Sequence, residues 1–135
     1  MIPFRIQFRP GVPLFEQVVY AATRAIITGA LQPGEAFPSV RALSREFKIN
    51  PNTAHKVVAQ LSQDGLLTAY PGVGTVVAPL PESTRKQRTD LLGRQIEELA
   101  VEAKRLSIPL NDLTAALTQH WTRLTEPAPG GRKAK

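Results

Sequence analysis

The run FPSVRALSREFKINPNTAHKVVAQ, Phe37 to Gln60, constrains this chain more than any other stretch, because it carries two helix-start signals in close succession. Ser39 follows Pro38 as an N-cap, and Val40, Leu43 and Phe47 recur at helical spacing, which predicts a short helix with a buried stripe. Arg41, Arg45 and Lys48 then share the outward face. Asn50 is a second N-cap and Pro51 stands at the first helical position, where a missing backbone donor costs nothing. Helical projection puts Ala54, Val57, Val58 and Leu61 on one side of this second helix and Asn52, His55, Lys56, Ala59 and Gln63 on the other. Two short helices joined by a tight turn have the proportions of a helix-turn-helix.

The outer side of the second helix offers donors and acceptors and no bulky hydrophobe. That is the character of a helix lying in a major groove, where Asn and Thr pair with base edges and Lys with phosphate. A formal charge of +6 on 135 residues favours polyanionic partners. With no Cys, disulfides and thiolate metal sites are excluded and a cytosolic setting is the simpler expectation. The opening MIPFRIQFRP lacks a long apolar core and a small-residue cleavage site, and no apolar run is long enough to span a bilayer, so the chain is expected to be soluble, unexported and cytoplasmic.

Around this motif the patterning is legible. Phe4, Ile6 and Phe8 alternate with Arg5, Gln7 and Arg9, predicting a short strand with its arginines outside as solvated edge charges. Phe15, Val18, Val19, Ala22, Ala25 and Ile26 form a helical stripe from Leu14 to about Thr28, with Gly29 placed to end the helix. Leu31 to Pro38 is a loop with a Pro-Gly turn. Gly65 is placed to cap the second motif helix, and Leu66 to Tyr70 and Thr75 to Ala78 read as two strands about Pro71-Gly72-Val73-Gly74, a hairpin in the position of a wing. The glycines of that turn do not cradle a nucleotide phosphate, because such loops run from a strand into a helix. A wing tip with two glycines can still approach a DNA backbone or minor groove.

PLFEQV (Pro13 to Val18), LQPGEAFPSVRAL (Leu31 to Leu43), INPNTAHKVVAQL (Ile49 to Leu61) and DGLLTAYPGVGTVV (Asp64 to Val77) closely resemble the winged-helix domain of GntR-family bacterial transcription regulators. The resemblance implies that Arg41, the opening of the recognition helix (Asn50, Pro51, Asn52 and Thr53, with His55) and Gly72 of the wing contact an operator. Lys56 and Ser39 add positioning contacts to phosphate or groove. Other family members often carry arginines where this chain has Pro51 and Asn52, so their base preferences do not transfer.

The expected architecture is mainly α with a small β wing: a winged helix-turn-helix over residues 1–78, a linker over 79–84, a two-helix dimerisation region over 85–124 and a disordered tail over 125–135. Leu92, Ile96, Leu99, Ala103 and Leu106 alternate steps of four and three along a charged helix from Arg85 to Leu106. Leu113, Leu117, Trp121 and Leu124 share one side of a second helix from about Leu110. Two short amphipathic helices cannot bury such stripes fully against each other, so a homodimer with two reading heads for a palindromic operator is expected. A two-helix C-terminal region is also what the resemblance to the YtrA subfamily implies. That resemblance further implies a repressor, often of its own operon and of neighbouring ABC-transporter genes.

His55 and His120 lie in different segments with no Cys or close carboxylate pair beside them, and there is no GxSxG or Walker-like element, so neither catalysis, metal nor cofactor is expected. The remaining alternative is a winged helix that binds protein without specific DNA readout. A polar outer face on the second motif helix argues against it, since a protein-binding helix would more often expose aromatic or aliphatic anchors. The sequence identifies no small-molecule effector.

Overall fold

The computed structural model describes residues 2–125, in the order α1 (Leu14–Thr28), α2 (Val40–Phe47), α3 (Pro51–Gln63), β1 (Leu67–Tyr70), β2 (Gly74–Val77), α4 (Arg85–Thr89), a π-helical segment (Asp90–Gln95), α5 (Ile96–Arg105) and α6 (Leu110–Thr125). The expected tail thus falls outside the described residues, except for Thr125, which is helical. The chain divides into one unit ending at Pro81 and another starting at Glu82.

In the first unit α3 is the central element. Ala54, Val57 and Leu61 on its inner face are wholly buried, and it packs against α1, α2 and β1. Val18 and Ala22 of α1, Leu43 of α2 and Val77 of β2 complete this core. A helix of this length is marginal alone, so most of its stability comes from that burial. Gly29 ends α1 at φ 88, a left-handed conformation that glycine adopts without Cβ crowding.

The two strands pair antiparallel from Leu67↔Val77 to Tyr70↔Gly74. The loop before α2 joins them. Ala36 bridges Val76, the Phe37 N–H donates to the Thr75 carbonyl at 2.9 Å, and the Val77 N–H donates to the Glu35 carbonyl at 2.8 Å. Its backbone thereby covers the free edge of β2, a role beyond that of a turn.

The expected strand at Phe4 to Arg9 does not form. The segment keeps the alternation, with Phe4 and Ile6 half-buried and Arg5, Gln7 and Arg9 exposed, yet it docks through side chains instead of a hydrogen-bonded ladder. Phe4 stacks on Phe37 (ring centroids 6.3 Å apart) and lies 5.7 Å from Phe47, while Phe8 meets Phe47 edge-on. Gln17, buried on α1, fixes its other end: the Arg9 N–H donates to Gln17 Oε1 at 2.9 Å, and Gln17 Nε2 donates to the carbonyls of Arg9 and Val12.

In the second unit Thr84 and Gln87 form a reciprocal capping box at the start of α4. The single helix expected over Arg85 to Leu106 is interrupted by the π segment, which takes in an extra residue per turn and so changes the phase between Leu92 and Ile96 from that of a straight seam. At the end of α5 the Arg105 guanidinium beside Glu102 holds that carboxyl below its ordinary pKa. Ala103 is buried, but Leu92, Ile96, Leu99, Leu106, Leu117 and Trp121 are exposed, and Leu113 and Leu124 are half-buried. Among the described residues no helix is long and apolar enough to cross a membrane.

The role given to Gln17 has a measurable consequence. Gln17→Ala leaves the Arg9 and Val12 backbone groups without their buried partner, and should cost about 1–3 kcal/mol in urea unfolding and speed amide exchange at Arg9. Unchanged stability with unchanged exchange would contradict the anchoring role.

Candidate nucleic-acid interface

The geometry of the helix-turn-helix starts from its caps. Ser39 Oγ accepts the Ala42 N–H at 3.0 Å and fixes the start of α2. Asn50 Oδ1 accepts the Asn52 N–H at 2.7 Å, with Pro51 occupying the first position of α3. Between them the turn is closed by Ser44, whose hydroxyl donates to the Ile49 carbonyl at 2.7 Å while its own carbonyl accepts the Ile49 N–H at 3.1 Å. Ile49, between the two helices in sequence, is buried in the core. Lys48, expected on the outer face of α2, instead follows its last residue in a left-handed conformation.

With the inner face of α3 committed to the core, its outer face is determined. Asn52, His55, Lys56 and Ala59 are exposed, Thr53 is half-buried, and Asn50 and Pro51 are exposed at the entry to the helix. Arg41 and Ser39 are exposed at the start of α2. The side chains of Ser39 and Asn50 are therefore engaged in capping through their oxygens. Each retains donor capacity: the hydroxyl hydrogen of Ser39 and the amide NH₂ of Asn50. Unengaged polar groups available to a ligand come mainly from Asn52, His55 and Lys56, with Arg41 as the cation nearest the start of α2.

The wing tip is Pro71-Gly72-Val73, closed by the Val73 N–H donating to the Tyr70 carbonyl at 3.0 Å. Gly72 has φ 77, and a Cβ there would meet nothing within 4 Å, so the glycine serves the turn's backbone and leaves the tip slender. Val73 is 75% exposed and Tyr70 51%. Both extend the wing surface beyond the glycine that the sequence singles out. Ser44 and Gln17 also escaped sequence reading. A polar residue in an apolar helical stripe gives a signal only when its backbone partners are known.

The residues expected to dimerise lie apart from this surface in sequence, on the second unit. Most of them expose their apolar side chains in the single chain, with Trp121 72% exposed. Large apolar side chains exposed in series along two helices exceed the scattered surface hydrophobes of an ordinary monomer.

Known proteins resemble this chain in sequence and in fold. The family model described as "Bacterial regulatory proteins, gntR family" matches residues 14–77, which spans α1 to the end of β2. The HTH-type transcriptional repressor YtrA of Bacillus subtilis (strain 168) is 25% identical over 131 residues, covering 96% of this chain and 97% of that protein. The crystal structure of a transcriptional antiterminator from Listeria monocytogenes EGD-e superposes with a TM-score of 0.83 at 22% identity, covering 98% of this chain and 96% of that one. YtrA from Sulfolobus acidocaldarius, a GntR-family transcription factor, matches with a TM-score of 0.56 at 24% identity, over 69% of this chain and 96% of that one.

The capping bonds separate two roles at Asn50. Asn50→Ala should cost about 1 kcal/mol in denaturant unfolding, whereas Asn50→Asp should hold stability near that of the unmodified chain because its carboxylate accepts the same N–H. Equal losses in the two variants would show that the cap does not hold the start of α3.

Proposed function

The winged-helix domain of this chain belongs to the gntR family of bacterial regulatory proteins, and on that premise we propose that the protein is a dimeric repressor reading a palindromic operator in double-stranded DNA. It is a transcription regulator and not an enzyme, like the relatives it matches. Asn52, Thr53 and His55 read base edges; Arg41, Lys56 and Ser39 set position through phosphate or groove contacts; Asn50 and Pro51 aim the helix, and Gly72 lets the wing approach. The observation that carries this reading is the division of α3 into an apolar face, with Ala54, Val57 and Leu61 wholly buried, and an exposed face of small polar and basic side chains.

Duplication of the reading head is supported by the apolar side chains left in solvent on α5 and α6, above all Leu99, Leu117 and Trp121. On a palindromic operator the two copies of α3 in such a pair would enter successive major grooves on one DNA face, about 34 Å apart. The two short helices of the second unit are too small to enclose an ordinary ligand pocket, and an inducer bound at the dimer interface would act by changing the geometry of the pair. The regulated genes suggested by the resemblance are its own operon and adjacent ABC-transporter genes, controlled in the cytoplasm. Protection footprinting on genomic fragments tests this: protected patches upstream of the protein's own operon support it, and no protection at low salt would overturn it.

Two further outcomes check the assignment of roles. Asn52→Ala should relax specificity at one operator position at a cost of about 1–3 kcal/mol, while Lys56→Ala should weaken operator and random DNA alike and flatten the salt dependence. Equal loss on both DNAs for Asn52→Ala would refute its reading role. Leu99→Glu should lower the sedimenting mass from twice 14.7 kDa to 14.7 kDa, since a carboxylate cannot be buried unpaired in an apolar seam. A dimer that persists in that variant would place the interface elsewhere.

A further inference from the structure

The turn of the helix-turn-helix holds a residue whose backbone suits a different side chain. Lys48 ends α2 at φ 56 and ψ 49. That left-handed conformation crowds the Cβ of any L-residue against the carbonyl, and glycine is its usual occupant at a helix end. The conformation is imposed by the turn. The Lys48 N–H donates to the Ser44 carbonyl, and Ser44 and Ile49 close the turn with a reciprocal pair of bonds on its other side.

Strain alone identifies no role, because Ser107 closes α5 at φ 59 in the same way. Lys48 differs in charge and in place. It is exposed and stands two residues before Asn50, so its Cα lies within about 7 Å of the α3 N-cap. An ammonium on a flexible four-carbon stem at that point can extend toward the phosphates that flank a groove holding the first turn of α3. Glycine would form this turn with less strain and asparagine with little, but neither carries a charge.

We propose that Lys48 is a phosphate contact of the DNA complex, its charge carried on a turn that glycine would form with less strain. This rests on the reading of α3 as the DNA-reading helix. Lys48 joins Arg41 and Lys56 in a sequence-independent clamp flanking Asn52 and His55, so it contributes affinity and salt dependence without base preference.

The test uses the full chain and a mixed-sequence duplex, with binding measured by fluorescence anisotropy across a salt series and stability by thermal unfolding. Lys48→Gly should unfold at the same temperature as the unmodified chain or higher. It should nevertheless bind about eightfold more weakly per subunit near 0.1 M salt, with the slope of log affinity against log salt reduced by about 0.9 per subunit. Lys48→Asn, which tolerates the same backbone, should lose binding equally, and Lys48→Arg should retain it. If the unmodified chain binds with its full salt slope and both uncharged variants match it, the proposal is overturned while the reading of α3 stands. If the unmodified chain binds no duplex at low salt, both fall together.

Discussion

Burial of one face of α3 is the constraint on which the rest of the first unit depends. Ala54, Val57 and Leu61 occupy the centre of the core, in contact with α1, α2 and the sheet, so the helix cannot rotate about its axis without exposing them. Truncating Leu61 to Ala would cost about 2–5 kcal/mol, a large share of what holds a small domain together. The orientation of Asn52, His55 and Lys56 is therefore inherited from apolar packing on the opposite side. Asn50, Ser44 and Ser39 add local bonds that fix where the helices begin and how the turn between them closes.

The wing is held by a similar economy of means. Two four-residue strands form a marginal hairpin by themselves. The backbone of residues 34–37 pairs with the outer edge of β2, and Leu66, Leu67 and Val77 bury their side chains in the same core that holds α3. The tip can then be small and bare, because none of its residues is needed for cohesion. The basic and polar outer face of α3 and a glycine-tipped wing thus come from one folding unit, whereas most of the exposed large apolar side chains, among them Leu92, Leu99, Leu117 and Trp121, lie on the second.

Much of this was legible in the sequence, for reasons that can be named. Ser39, Asn50 and Pro51 are local signals whose meaning depends only on neighbouring residues, and α2 and α3 start where they place them. The apolar stripe of α1 and the glycine that ends it are equally local. Features that depend on distant partners were not legible. Alternation at Phe4 to Phe8 reads as a strand, but the segment is held by Phe37 and Phe47 and by the Gln17 side chain, and none of these contacts has a periodic signature. The bridge from Ala36 to Val76 is non-local in the same way, and the π segment leaves no mark on a heptad count. Within the candidate interface, residue types were readable, but the division between groups engaged in capping and groups left unengaged required the hydrogen bonds.

Presentation of the polar face of α3 to DNA is tested most directly by amide chemical-shift mapping of the full chain titrated with a duplex at low ionic strength. The largest shifts should fall on Arg41, on residues 50–56 and at Gly72, and should fade as salt is added. Shifts confined to the outer face of α1 or to α5 and α6, with residues 50–56 unmoved, would contradict it.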